Sequence, residues 1–339
     1  MPHPLRFGVV YDFRNPPDSG RSFPDLYART LEQIRFVDQL GFDSVWITEH
    51  HFVEDGYLPS FIAVAGAVAA VTERVQISSD VLLMPFQHPL RLAEDLAVLD
   101  NLSNGRMMVG VGMGYAPHEF KAFGIDRRQR VSLTEEGLDV LKLAWTEDRF
   151  SYQGKRYQFD DVQVRPRPVQ TGGPPIWIAA MSEPGARRAA RFGAHLLPQG
   201  DRAAVLDPWL DALKDEDKDP GEFRVGIIRS CLVSDDPDAL FARIRDSARY
   251  VGDIYADWIA QDEVMSQQLA AGREAGRTIP QSWIVGGVED CVAQLTAFVE
   301  EFGITDVLLW GVPPGLAPEE MSDNLERFAR QVMPRLRGA

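Results

Sequence analysis

Gly41-Phe42-Asp43-Ser44-Val45-Trp46-Ile47-Thr48-Glu49-His50-His51-Phe52 sets a glycine, a short β-rich run and a cluster of chemically able side chains in a row. Upstream, Pro24–Leu40 carries apolar residues at Leu26, Leu31, Ile34, Phe36, Val37 and Leu40, the spacing of a helix with one buried stripe. Gly41 falls where a helix end needs a residue tolerant of the left-handed conformation. Asp43–Thr48 then reads as a strand, rich in β-branched and aromatic residues. A helix stopped by glycine, a short buried strand and a polar cluster at the strand's C-terminal end make one period of a parallel α/β fold.

The period recurs in both directions. Leu5–Tyr11 reads as the first strand. Helix Ser60–Ala70 leads to strand Val75–Met84, and helix Leu90–Leu102 leads through Ser103-Asn104-Gly105 to strand Arg106–Val111. After a helical stretch over Arg128–Trp145, the run Phe150–Pro168 alternates aromatic and polar residues about Gly154 and reads as a hairpin insertion. Strands Pro175–Ala180, Ala194–Pro198, Arg224–Val233 and Thr305–Trp310 follow. Between and after them lie helices Glu183–Phe192, Arg202–Lys214, Pro237–Val251 and Val288–Phe302, a polar helical stretch across Tyr255–Ala271, and a closing helix near Pro318–Met333. Eight strands separated by helices, with no composition break, predict one α/β domain over residues 1–339. The predicted fold is a (β/α)8 TIM barrel with insertions near 150–168 and 255–271. A doubly wound sheet is the alternative, but it needs phosphate-binding glycines after the first strand, and Tyr11-Asp12-Phe13-Arg14-Asn15-Pro16-Pro17 is not such a loop.

Composition narrows the function. Of 339 residues, 45% are hydrophobic and 25% charged, an ordinary globular balance, and the formal net charge of -15 repels nucleic acid and anionic membrane surfaces. Small-molecule partners are expected. The N-terminus lacks signal-peptide features, and no apolar run reaches the roughly 18 residues of a membrane helix. The two cysteines, Cys231 and Cys291, form no metal-type pair or disulfide framework, so buried unreactive thiols and a cytoplasmic location are expected.

In a barrel of this class, functional side chains gather at the C-terminal strand ends. That rule selects Glu49, His50 and His51, with histidine suited to acid/base work. A metal is the alternative reading, with His88, His118 and His195 near other strand or loop ends, but the chain has six histidines and no HExxH. The glycine-rich Gly110–Tyr115 segment reads either as a close backbone approach to a ligand or as an ordinary tight turn. Met181-Ser182-Glu183-Pro184-Gly185 opens a helix whose free N–H groups suit a phosphate, with Arg127, Arg128 and Arg130 available to support it. Tyr11, Trp46, Phe52, Met84, Phe86, Trp177 and Trp310 divide between barrel packing and a pocket for a planar or apolar ligand.

Taken together, Gly41–Phe52, VLLMPFQHPLRLAEDLAVLDNLSNGR (Val81–Arg106), GVGMGYAPHEFKAFGID (Gly110–Asp126), PPIWIAAMSEPGARRAARFGAH (Pro174–His195) and IVGGVEDCVAQL (Ile284–Leu295) resemble the bacterial-luciferase-like flavin-dependent oxidoreductases. The resemblance covers nearly the whole chain. It implies an FMN-dependent monooxygenase in which reduced FMN from a separate flavin reductase meets O2 as a C4a-hydroperoxide that oxidises a small organic substrate. F420-dependent hydride transfer and a noncatalytic flavin-binding homologue are the alternatives, and a homodimer is implied. Position by position, His50 matches the histidine near the flavin reaction centre, and Asp80-Val81 matches a non-proline cis peptide beneath the ring. Met181, Ser182 and Gly185 match the phosphate-binding segment, with Arg130 as the supporting arginine. No metal is implied. The chain departs from luciferase at Met113 and Met181, which replace an arginine and a glutamate, and at Asp80, where small neutral residues are more frequent.

Overall fold

The computed structural model describes residues 3–199, 202–261 and 284–338. Its strands are β1 (Arg6–Tyr11), β2 (Ser44–Ile47), β3 (Gln76–Ser79), β4 (Leu82–Leu83), β5 (Val109–Gly112), β6 (Phe150–Gln153), β7 (Gln158–Val162), β8 (Ile176–Ala180), β9 (His195–Pro198), β10 (Gly226–Ile228), β11 (Cys231–Val233), β12 (Ile284–Gly286) and β13 (Asp306–Trp310). One parallel sheet runs β10-β13-β1-β2-β3 and a second β4-β5-β8-β9. Single parallel bridges, Ile77 to Met107 and Leu196 to Val225, join the two sheets at both edges. The parallel strands thus follow one another around a ring in chain order, the arrangement of a (β/α)8 barrel.

Two apolar layers hold the ring. Inside it, Val10, Trp46, Met108, Trp177, Leu197 and Leu308 form a separate buried cluster, with the Trp46 and Trp177 rings edge to face at 5.3 Å. Outside it, the helices, α2 (Phe61–Val71) and α3 (Pro89–Leu102) among them, lay their apolar stripes on the strands in one continuous core. Helix α1 (Phe23–Leu40) begins at Ser22, whose hydroxyl accepts from the Asp25 N–H, and ends at Gly41 with φ 86°. Its buried Asp38 accepts the backbone N–H groups of Glu73, Arg74 and Val75, which fixes the approach to β3. At the N-terminal end of the barrel, buried Arg224 meets Asp306 at 2.7 Å and donates to the carbonyls of Pro4 and Thr305.

Several elements differ from the sequence reading. The expected strand Val75–Met84 is broken at a cis Asp80–Val81 peptide, so β3 and β4 pair in different sheets. The expected strand Arg224–Val233 is likewise broken at Arg229-Ser230, and its second half, β11, pairs with β12, a strand the sequence reading missed. The hairpin forms as antiparallel β6–β7, and the N–H groups of Lys155, Arg156 and Tyr157 in its turn bind the Glu136 carboxylate. The helix expected to stop at Val251 continues as one helix, Pro237–Ala260, absorbing the first residues of the expected Tyr255–Ala271 stretch. Gly252 does not break it, because glycine alone costs a helix only about 1 kcal/mol. Positions 262–271 of that stretch lie outside the described residues. Among the described residues, no helix is long and apolar enough to cross a membrane.

Candidate active site

The chain leaves β2 through Thr48, Glu49, His50 and His51, all buried. The His50 N–H donates to the Leu58 carbonyl at 3.1 Å, tying the segment to the loop before the next helix. Glu49 Oε1 accepts the Leu83 N–H at 3.1 Å, so this carboxylate orients β4. The His51 Nε2 lies 3.5 Å from the same oxygen and makes no hydrogen bond among the described residues.

The partner of His50 comes from helix α4 (Pro117–Phe123). Glu119 is fully buried, and its Oε1 lies 2.9 Å from His50 Nδ1 while accepting the His51 N–H at 2.8 Å. The carboxylate therefore fixes which edge of the His50 ring faces inward and leaves Nε2 for chemistry. The residue lies within the Gly110–Asp126 segment, yet it was not singled out; the available signal was one acidic side chain among aromatics in a βα loop. Four rings surround the imidazole, those of Tyr57 at 4.8 Å, Tyr115 at 5.6 Å, Tyr255 at 6.2 Å and Trp258 at 4.7 Å. Tyr255 and Trp258 sit on the last turns of the Pro237–Ala260 helix, and Tyr255 Oη is 3.0 Å from Tyr57 Oη.

Asp80 follows β3 and reaches this enclosure through backbone pairing: its N–H donates to the Ile47 carbonyl at 2.7 Å. Its carboxyl oxygen Oδ2 is buried without a hydrogen-bond partner among the described residues. Burial pushes this carboxyl up to about 7. The neighbouring residues Ser79 and Val81 explain two glycines of the glycine-rich segment. A Cβ on Gly110 would come 2.2 Å from the Ser79 carbonyl oxygen, and one on Gly112 would come 2.4 Å from a Val81 methyl. These two glycines admit the neighbouring strand, while Gly114, with φ 68°, makes the turn.

The remaining expected positions lie on two neighbouring helices. Ser182, with extended backbone and no side-chain cap bond, precedes helix α6 (Glu183–Arg191), whose first turn holds buried Gly185; Met181 is exposed. Arg130 opens helix α5 (Arg130–Thr146), with its Nη1 3.4 Å from the Gly114 carbonyl. Glu135, in the second turn of α5, bridges Arg188 at 2.8 Å and Arg191 at 2.9 Å on α6. That bridge ties the two helices together.

Of the aromatic and apolar residues expected to divide between packing and pocket, Tyr11, Trp46, Met84 and Trp177 are core. Phe86 instead stacks on Phe123 at 4.6 Å, beside Phe52 and His51. The remaining histidines have different surroundings. His195 packs on Trp177 near the N-terminal end of β9, and burial lowers it to about 4. His118 Nε2 lies 3.2 Å from the His51 carbonyl oxygen, and His88 packs on Tyr157 and Phe159. Among the described residues, no group of three His, Cys, Asp or Glu side chains is placed to hold a metal.

The family model described as luciferase-like monooxygenase matches residues 5–306. The oxygenase component of flavin-dependent trigonelline monooxygenase from Acinetobacter baylyi is 24% identical over 97% of this chain and 95% of its own length. An F420-dependent glucose-6-phosphate dehydrogenase from Amycolatopsis mediterranei is 26% identical over 89% of this chain and 92% of its own. The crystal structure of monooxygenase RslO1 from Streptomyces bottropensis superposes with a TM-score of 0.85 at 26% identity, covering 97% of this chain and 99% of that one.

Proposed function

Because the chain belongs to the luciferase-like monooxygenase family, we propose that it is the oxygenase of a two-component system. It would take reduced FMN from a separate flavin reductase and use O2 to oxidise a small organic substrate. The observation that carries this is the His50–Glu119 pair: an imidazole held by a buried carboxylate and walled by four aromatic rings.

The residues present fit a flavin. The buried carboxyl of Asp80, whose Oδ2 has no hydrogen-bond partner among the described residues, would be satisfied by a polar edge of the ring. The N-terminus of α6, with Ser182 and Gly185 and with Arg130 on the adjacent helix, offers N–H groups and a cation for the phosphate. When bound, the flavin supplies the electrons that activate O2. The protein's part is to exclude water with Tyr57, Tyr115, Tyr255 and Trp258, and to move a proton at His50 Nε2 while Glu119 keeps the ring oriented. A homodimer is part of the same reading; Val71, Val98 and Leu102 are apolar and exposed on the second and third barrel helices.

F420-dependent hydride transfer is the second reading. The F420-dependent relative favours it, and an oriented imidazole serves either chemistry. Titration with FMN, reduced FMN and F420, followed by fluorescence and thermal shift, separates the two before any substrate is known. Tight reduced-FMN binding with substrate-dependent O2 uptake is expected; F420 binding with oxygen-independent turnover would replace the proposal.

A further inference from the structure

Beside the mouth lies a second polar group that the flavin reading does not use. Arg14, in the loop after β1, has a fully buried side chain. Its Nε donates to Asp55 Oδ2 at 2.6 Å, and its guanidinium lies over the Tyr57 ring at 4.9 Å and the Tyr250 ring at 5.3 Å. Its Nη1 and Nη2 have no hydrogen-bond partner among the described residues. Asp55 is spent elsewhere: Oδ1 accepts the Tyr57 N–H at 3.0 Å, and Oδ2 also accepts the Tyr250 hydroxyl at 3.0 Å. Buried N–H groups without acceptors are costly, and their cost is removed by a ligand that brings one.

We propose that Arg14 is the substrate-recognition group of this enzyme, and that its two terminal nitrogens bind the carbonyl oxygen of an aromatic ketone or quinone whose ring packs against Tyr57. This rests on the flavin reading above only in placing the substrate at the same mouth. Charge decides between a carbonyl and an anion. The guanidinium is already neutralised by Asp55, and Asp12 accepts the Arg14 backbone N–H at 3.2 Å, adding a second carboxyl beside it. The cluster has donors to give but no net positive charge, so it suits a neutral acceptor and disfavours a carboxylate. The surroundings suit a planar ring. Tyr57 contacts both the guanidinium and His50, its ring 4.9 Å from the first and 4.8 Å from the second. A ring on this wall would therefore reach both the recognition group and the reaction centre.

The test uses three probes on the full-length, FMN-loaded protein, read by tryptophan quenching: 2-acetylnaphthalene, its hydrocarbon isostere 2-isopropenylnaphthalene, and 2-naphthoate. The ketone is expected to bind at least about ten-fold tighter than the isostere, because the isostere leaves the Arg14 donors unpaired. Naphthoate is expected to bind no tighter than the ketone. R14Q leaves Asp55 buried without its cation and risks misfolding. The double variant R14Q/D55N removes both charges and keeps an amide pair; it is expected to bring the ketone-to-isostere ratio near one with FMN affinity unchanged. The proposal is overturned by a ratio near one in the unaltered protein, by tighter binding of naphthoate than of ketone, by a preference that survives in the folded double variant, or by FMN displacing the ketone. A ketone preference that persists in a protein unable to bind FMN would leave this site standing and remove the flavin reading instead.

Discussion

At the scale of the residue, the proposed chemistry rests on two side chains, His50 and Glu119. His50→Ala is expected to retain FMN binding and to lose about 10²-fold or more in turnover, the usual yield of a positioned acid/base group. Glu119→Gln keeps the size but removes the charge that holds both His50 and the His51 N–H, so turnover should fall at least about ten-fold with flavin affinity intact. Normal steady-state rates in either variant would remove the pair from the mechanism. Asp80 makes a different prediction. Burial raises it from about 4, the ordinary carboxyl value, to about 7. Between those limits the folded chain holds a proton that the unfolded chain has released, so stability contributed by this group falls as pH rises, and above the upper limit the loss is complete. Asp80→Asn has no such loss. Urea denaturation at pH 5 and pH 8 should show the variant gaining on the unaltered protein at the higher pH; parallel pH dependences would refute it.

Packing between neighbouring strands sets the predictions at the scale of the element. Gly110 faces backbone, the Ser79 carbonyl oxygen, which cannot rotate away, whereas Gly112 faces the Val81 side chain. Gly110→Ala should therefore cost about 3 kcal/mol, near the upper end for overpacking, and Gly112→Ala less. Thermal unfolding of the two variants checks the order; equal losses would show that β3 yields as a unit. The same packing explains why the predicted third strand is broken. The chain leaves β3 at Ser79 and rejoins the ring as β4, and Gly110 and Gly112 leave room for Ser79 and Val81 on either side of the break. The hairpin was visible locally, from alternation about Gly154, but its anchorage on Glu136 of α5 was not.

For the whole molecule, stability depends on joining the last strands to the first. Arg224 and Asp306 form a buried pair on neighbouring strands, and Arg224 also reaches the Pro4 carbonyl ahead of β1. Asp306→Ala leaves that guanidinium buried without its counter-charge, which typically costs 3–5 kcal/mol. A urea midpoint within error of the unaltered protein would show that the seam holds without the pair. The barrel class, the hairpin and the position of His50 after β2 were legible in the sequence. Each is written in a local period: two for strands, 3.6 for helices, a glycine or a turn at each stop. The resemblance added the Asp80–Val81 peptide, which also rests on a contiguous motif. Tertiary structure alone decided that Glu119 holds His50 from 69 positions away, that Tyr255 and Trp258 cover it from a helix near the far end of the chain, and that Arg14 spends one nitrogen on Asp55 and keeps two. Those partners share no sequence period with the groups they meet. Closing the ring of strands is what brings them together, so nothing local in the chain could record the pairing.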